Sequence, residues 1–106
     1  MFVNTVSEFA IYHFKDATSN KVWGMFRTED QVWVCFWGGT GMNMSFKKHG
    51  YSYIGSSKIS SVRDQKKRKG YNKVELSSII HHWADFESMM LERFTWFKLS
   101  DLAASV

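Results

Sequence analysis

The residues with the clearest chemical potential in this chain are Trp37-Gly38-Gly39-Thr40-Gly41, a large aromatic followed by a glycine-rich loop. They directly follow an apolar, strand-like block over residues 32–36. Glycines let another molecule approach the backbone closely, and an indole offers a flat surface on which a base or a sugar can stack. The pattern is therefore typical of a nucleotide contact surface. The alternative for Trp37 is a core residue at the end of a strand.

Basic residues are concentrated in one segment. The chain has 14 Lys and Arg and 10 Asp and Glu, which gives a net charge of +4. Residues 47–73 hold nine of the bases and one acid, Asp64, so their net charge is +8, whereas the flanking segments are mildly acidic. Such a distribution produces a directional field that attracts a polyanion. The alternative is a solvated basic helix that binds nothing.

The candidate nucleic-acid-binding residues are Trp37 and the bases of this segment. The run from Lys66 to Lys69 is the strongest electrostatic signal, because each neutralised phosphate releases condensed counterions without any reading of bases. Tyr71 follows this run, and a structural role is expected for it. The full set of candidates is Trp37, Lys47, Lys48, Lys58, Arg63, Lys66, Lys67, Arg68, Lys69 and Lys73.

Residues that could carry catalysis or hold a metal are sparse. Cys35, the only cysteine, lies within an apolar block and is interpreted as a small core residue. His13 and His49 each stand alone, and His81 and His82 lack a second histidine or cysteine at metal-ligand spacing. We therefore predict a protein that is not an enzyme, with no catalytic residue, no metal and no cofactor.

Length and composition limit the protein class. A chain of 106 residues fits one domain, and its 44% apolar and 17% aromatic residues are enough for a core. No stretch approaches the roughly 18 apolar residues of a membrane span, and the first residues lack the features of a signal peptide. A single cysteine fits a reducing compartment. We expect a cytoplasmic protein without a membrane partner.

The elements that must position these residues follow from periodicity. Alternating and aromatic-rich blocks predict an antiparallel meander, with turn residues between the strands. A basic helix is expected from a Ser56-Ser57 cap to about Lys69, where Gly70 is a stop signal. The predicted strands are residues 8–14, 21–28, 32–37, 42–48 and, after the helix, 71–75.

From Leu76 to Phe97 the apolar residues recur at helical spacing, which predicts a long amphipathic helix. The helix could pack on the sheet, or it could pair with a second copy or another protein. Its predicted length exceeds the width of a small sheet, and we favour a homodimer. The expected interface residues are Trp83, Phe86, Met90 and Phe94. The predicted fold is α+β in one folding unit: a β-rich domain over residues 1–76, an antiparallel sheet with a basic helix, and a C-terminal amphipathic helix over residues 77–106.

Three segments follow one another in an order known from one domain family. They are Asn20-Lys21-Val22-Trp23, residues 33–41, and Lys69-Gly70-Tyr71. In this order they resemble the WGR domain, a module of poly(ADP-ribose) polymerases and of small bacterial proteins, over roughly residues 8–76. The family is named for a Trp-Gly-Arg triplet, and Gly39 stands where its arginine would be.

The resemblance implies that Trp37 packs on the sugar of a terminal nucleotide at a DNA break. It implies nothing for the missing arginine, whose charge Lys47, Lys48 or Arg63 could replace. We therefore expect a nucleic-acid-binding protein with DNA as its partner, using phosphate contacts and stacking on Trp37. The alternative is a small adaptor or inhibitor that binds an acidic protein partner.

Overall fold

The computed structural model describes residues 6–28 and 32–91, and the side chains within 9–27, 32–49 and 57–90. The strands are β1 (Val6–Lys15), β2 (Asn20–Thr28), β3 (Val32–Gly39), β4 (Ser45–Tyr51) and β5 (Asn72–Val74). The helices are α1 (Ser52–Arg68), α2 (Leu76–Ile79) and α3 (Phe86–Leu91), with a 3₁₀ turn at Ile80–His82 between the last two.

The five strands form one antiparallel sheet in the order β4-β3-β2-β1-β5. The predicted α+β class and four-strand meander are confirmed, and β5 pairs with the outer side of β1. Three boundaries differ most from the prediction. Strand β3 continues to Gly39, and β4 covers Ser45–Tyr51 instead of residues 42–48. Helix α1 begins at Ser52, before the predicted Ser56-Ser57 cap.

Both faces of the sheet are apolar, because side chains alternate across a strand. On one face, residues such as Trp23 and Cys35 pack under Ile59 of α1. On the other face, residues such as Phe26 and Phe36 pack under the segment that follows β5. The sheet therefore lies between two helical layers, and each layer closes a separate core.

The segment after β5 is not the continuous helix that its period predicted. The backbone adopts an extended conformation at Trp83, with φ −101° and ψ 135°. The Trp83 Nε1–H donates to the Met42 carbonyl oxygen at 2.8 Å. Two residues later, Asp85 Oδ1 accepts from the Ser88 N–H at 3.0 Å and caps α3. A tertiary hydrogen bond and a local cap thus interrupt a pattern that periodicity alone reads as one helix.

The predicted dimer interface is corrected at three of its four positions. Trp83, Phe86 and Met90 are buried in this chain's own core, at 6%, 3% and 0% exposure. They cover the second apolar face of the sheet, so they do not form an overhanging exposed stripe. Phe94 lies outside the described residues, and association between copies stays a prediction that these three residues no longer support. No helix within the described ranges is both long and apolar enough to cross a bilayer.

Candidate nucleic-acid interface

Trp37 lies at the end of β3, on the face that α1 covers. It is in register with Trp23 of β2 and Ser45 of β4. Trp23 is 1% exposed and belongs to the core, whereas Trp37 is 38% exposed. Of the four tryptophans whose side chains are described, Trp37 is therefore the one that presents a ring surface to a ligand.

An open groove of about 430 Å³ lies beside Trp37. The backbone amide of Thr40 donates to the Asn20 carbonyl oxygen at 3.0 Å, which holds the turn after β3 against the start of β2. The groove therefore combines the ends of two strands with the end of α1. Its lining residues are Ser19, Asn20, Lys21, Val22, Trp37, Gly38, Gly39, Lys66 and Tyr71.

A second recess of about 210 Å³ adjoins this groove. Its walls are Phe14 and Tyr71, and its cations are Lys21, Lys66 and Lys69, which we call the lysine cluster. The Lys66 ammonium lies 5.1 Å from the centroid of the Tyr71 ring, and the Lys21 ammonium lies 5.4 Å from that of Phe14. Aromatic faces attract cations at such distances. The two rings thus hold two ammonium groups at the edge of the groove.

The helix end explains why Lys66 reaches this position. Ile59, Val62 and Lys66 are spaced to lie on one helix face, and the first two pack on the sheet. Gly70, with φ 103°, ends the helix, and the Tyr71 N–H donates to the Lys66 carbonyl oxygen at 3.1 Å. This Schellman arrangement turns the chain back, so that Tyr71 lies against the last helical turn.

The lysine cluster concentrates positive charge at the edge of the groove. Partial burial lowers the pKa of Lys66, and the neighbouring charges of Lys69 and Lys21 lower it further. Among the described residues, no ion pair is formed by these three lysines. Asp16 acts electrostatically on Lys21, but its Oδ1 accepts from the backbone amides of Thr18 and Ser19 at 2.9 and 2.7 Å. An anion bound between the lysines would relieve their mutual repulsion.

Two further lysines, Lys47 on β4 and Lys58 on α1, extend the basic surface. Lys47 pairs with Cys35 across the sheet. Burial lowers the pKa of His49, and the charges of Lys47 and Lys58 lower it further. Lys58 precedes Lys66 by eight residues, about 12 Å along the helix. The surface therefore continues from the lysine cluster toward the start of α1.

The remaining predicted residues do not join this surface. Lys48 pairs with Val34, whose side chain belongs to the opposite face of the sheet. Arg63 Nε lies 3.4 Å from Asp64 Oδ1, and Lys73 lies on β5 at the far edge of the sheet. Lys67 and Arg68 are exposed but line neither recess. Lys21, which was not predicted, joins the site because β2 begins beside the end of β3.

The glycines after Trp37 have internal reasons to be glycine. A Cβ at Gly38 would lie 2.9 Å from the Asn43 carbonyl oxygen. Gly41 has φ 82°, and a Cβ there would lie 2.7 Å from the His82 carbonyl oxygen. Close contacts within the chain thus explain why these two positions are glycine. At Gly39 the nearest atom to a Cβ would be Met42 Cγ at 3.1 Å, so a side chain there requires a small shift of the exposed Met42 side chain.

The fold also brings together Cys35 and His49, which stand apart in the sequence. Cys35 Sγ and His49 Nε2 are 3.0 Å apart, a contact that the bulged register of β4 permits. Burial raises the pKa of the Cys35 thiol and lowers the pKa of His49. Both groups are thereby held neutral near pH 7, which does not provide the thiolate that a cysteine nucleophile requires. No group of three or more metal-ligating side chains occurs among the described residues.

Comparison with known proteins found no family model, no curated protein and no solved structure that matches this chain.

Proposed function

We propose that this protein binds nucleic acid, DNA in particular, without catalysing a reaction. The basic side of α1 and the lysine cluster contact phosphates, and Trp37 stacks on a nucleotide. One observation carries the proposal: a partly exposed tryptophan shares a groove with lysines that have no ion-pair partner among the described residues. Aromatic stacking beside a cationic track is the usual chemistry of single-strand binding.

The resemblance to the WGR domain points to the same partner. Gly39 lacks the arginine of the family triplet, but Lys21 and Lys66 line the groove that such a side chain would border. These two lysines replace Lys47, Lys48 and Arg63 as the best source of the missing charge. The adaptor alternative combined the C-terminal helix with the basic stretch, and Trp83, Phe86 and Met90 of that segment are buried in the chain's own core.

A fluorescence-polarisation titration tests the proposal. Labelled single-stranded, blunt and nicked oligonucleotides are titrated at two salt concentrations, with wild-type protein and a variant that has Gln at Lys66, Lys67, Arg68 and Lys69. We expect salt-sensitive binding that the variant weakens about tenfold or more. The slope of log K against log salt should flatten by roughly 0.9 per lost contact on duplex DNA. If the wild-type protein binds none of the oligonucleotides at low salt, the proposal is wrong.

A further inference from the structure

The geometry points to one unpaired nucleotide as the ligand of this site, with its phosphate on the lysine cluster and its sugar and base against Trp37. The inference rests on the proposed nucleic-acid-binding function and defines the form of the ligand. The ligand class is single-stranded nucleic acid, of which one nucleotide occupies the groove.

The phosphate position follows from charge. Lys21, Lys66 and Lys69 surround a recess whose other walls are Phe14 and Tyr71, so the ammonium groups are the charged atoms that a ligand there would meet. Ammonium donors form short, charge-assisted hydrogen bonds with phosphate oxygens. A phosphate there would also offset the repulsion from Lys69 and Lys21, which adds to the larger effect of burial in lowering the pKa of Lys66.

The nucleoside position follows from how the two recesses join. They share Lys21, Lys66 and Tyr71, so a ligand on the lysine cluster extends directly into the larger groove. That groove is lined by the exposed Trp37 and by two glycines without side chains. A nucleotide has the matching order, since its charged phosphate is bonded to a sugar that carries a flat base.

The exposure of the aromatic residues limits the site to one unpaired base. On this face Trp23, Trp33 and Tyr71 are buried, and the partly buried Phe14 ring lies against Tyr71 and Lys21. Trp37 is therefore the most exposed of the described rings on this face. Bases inside a duplex are covered on both faces by their neighbours, whereas an unpaired base offers a free face. A single stacking platform therefore favours one base of a single strand over the interior of a duplex.

The test compares three ligands with similar backbone charge. They are a short oligothymidylate, a strand of equal length in which every nucleotide lacks its base, and a duplex whose two ends are closed by non-nucleotide linkers and whose stem carries the label. Each is titrated with the wild-type protein and with Trp37→Ala. We expect base removal to weaken wild-type binding about tenfold or more, within the range for stacking on one aromatic residue. Trp37→Ala should bind both single strands with the same, weakened affinity.

A matched pair of double variants tests the phosphate position. Lys66→Gln with Lys69→Gln removes two charges from the lysine cluster, and Lys67→Gln with Arg68→Gln removes two neighbouring charges that line neither recess. We expect the first pair to weaken oligothymidylate binding at least about fivefold more than the second, because two groups that donate directly to one phosphate are lost. Trp37→Phe, which keeps a ring, should retain part of the preference for bases, and melting temperatures show that each variant folds.

Equal affinity for the strands with and without bases would overturn the nucleotide site, while general phosphate binding would stand. Equal effects of the two double variants would overturn the lysine cluster as the phosphate position. Tighter binding to the closed duplex than to oligothymidylate would overturn the preference for an unpaired nucleotide. Absence of binding to all three ligands would instead refute the proposed function itself.

Discussion

Two regions of this protein each contain a tryptophan, one buried and the other partly exposed. Trp83, Phe86 and Met90 lie under the sheet, and their exposed fractions do not exceed 6%. Trp37 lies at the end of a strand on the other face, 38% exposed and beside lysines. Both regions looked like contact surfaces in the sequence. The comparison teaches that an aromatic pattern indicates a binding surface only where the chain's own elements leave it uncovered.

Exchanging each tryptophan for alanine should produce the largest difference between the two regions. Trp83→Ala should lower the free energy of unfolding by about 3 to 5 kcal/mol, since it leaves a cavity and an unpaired Met42 carbonyl. Trp37→Ala should change it far less, because its ring is partly solvated. Urea denaturation followed by circular dichroism measures both values. Equal losses of stability would show that Trp37 belongs to the core and would remove the contrast.

The lysine cluster should make nucleic-acid affinity change with pH in the alkaline range. The buried region around Trp83 has no such effect. Burial, together with Lys69 and Lys21, lowers the pKa of Lys66 in the free protein, and a bound phosphate should raise it again. Between the two pKa values, binding then takes up protons and log K falls as pH rises. Two other titratable groups lie near Lys66, the Tyr71 phenol and the Cys35 thiol, and burial raises the pKa of each.

Calorimetric titration with oligothymidylate in two buffers of different ionisation enthalpy measures this proton uptake. Lys66→Arg is the control, because a guanidinium stays charged throughout this range. We expect the variant to bind with less proton uptake and a flatter pH dependence. Identical uptake by wild type and variant would show that Lys66 does not meet the phosphate.

Gly39→Arg should have the smallest effect, and in the opposite direction. The new side chain displaces only the exposed Met42 side chain, so the melting temperature should change little. It adds a cation to the groove, so affinity for DNA should be equal or higher. Gly38→Arg is the steric control: its Cβ meets a carbonyl oxygen at 2.9 Å, and we expect it to destabilise the turn. Weaker DNA binding by a folded Gly39→Arg variant would contradict this geometry of the groove.

Much of the sheet was predictable from local patterns. Alternating side chains and polar turns identify the first four strands, and Gly70 marks the end of α1 within one or two residues. The C-terminal segment shows the limit of this reasoning. Its apolar residues have one helical period through residues 76–97, yet the chain breaks at Trp83, where a hydrogen bond to the distant Met42 outweighs the local preference. No pattern within that segment signals the bond.

The candidate site divides in the same way. By itself, the sequence determined that positive charge is concentrated in residues 47–73 and that a tryptophan precedes a glycine-rich turn, because both are properties of neighbouring residues. Only the tertiary structure decided which charges act together. The helical turn places Lys66 and Lys69 at the recess and leaves Lys67 and Arg68 outside it. The fold also adds Lys21, from a strand more than forty residues earlier. Strand register and helix phase place such residues together, and both depend on how distant segments pack.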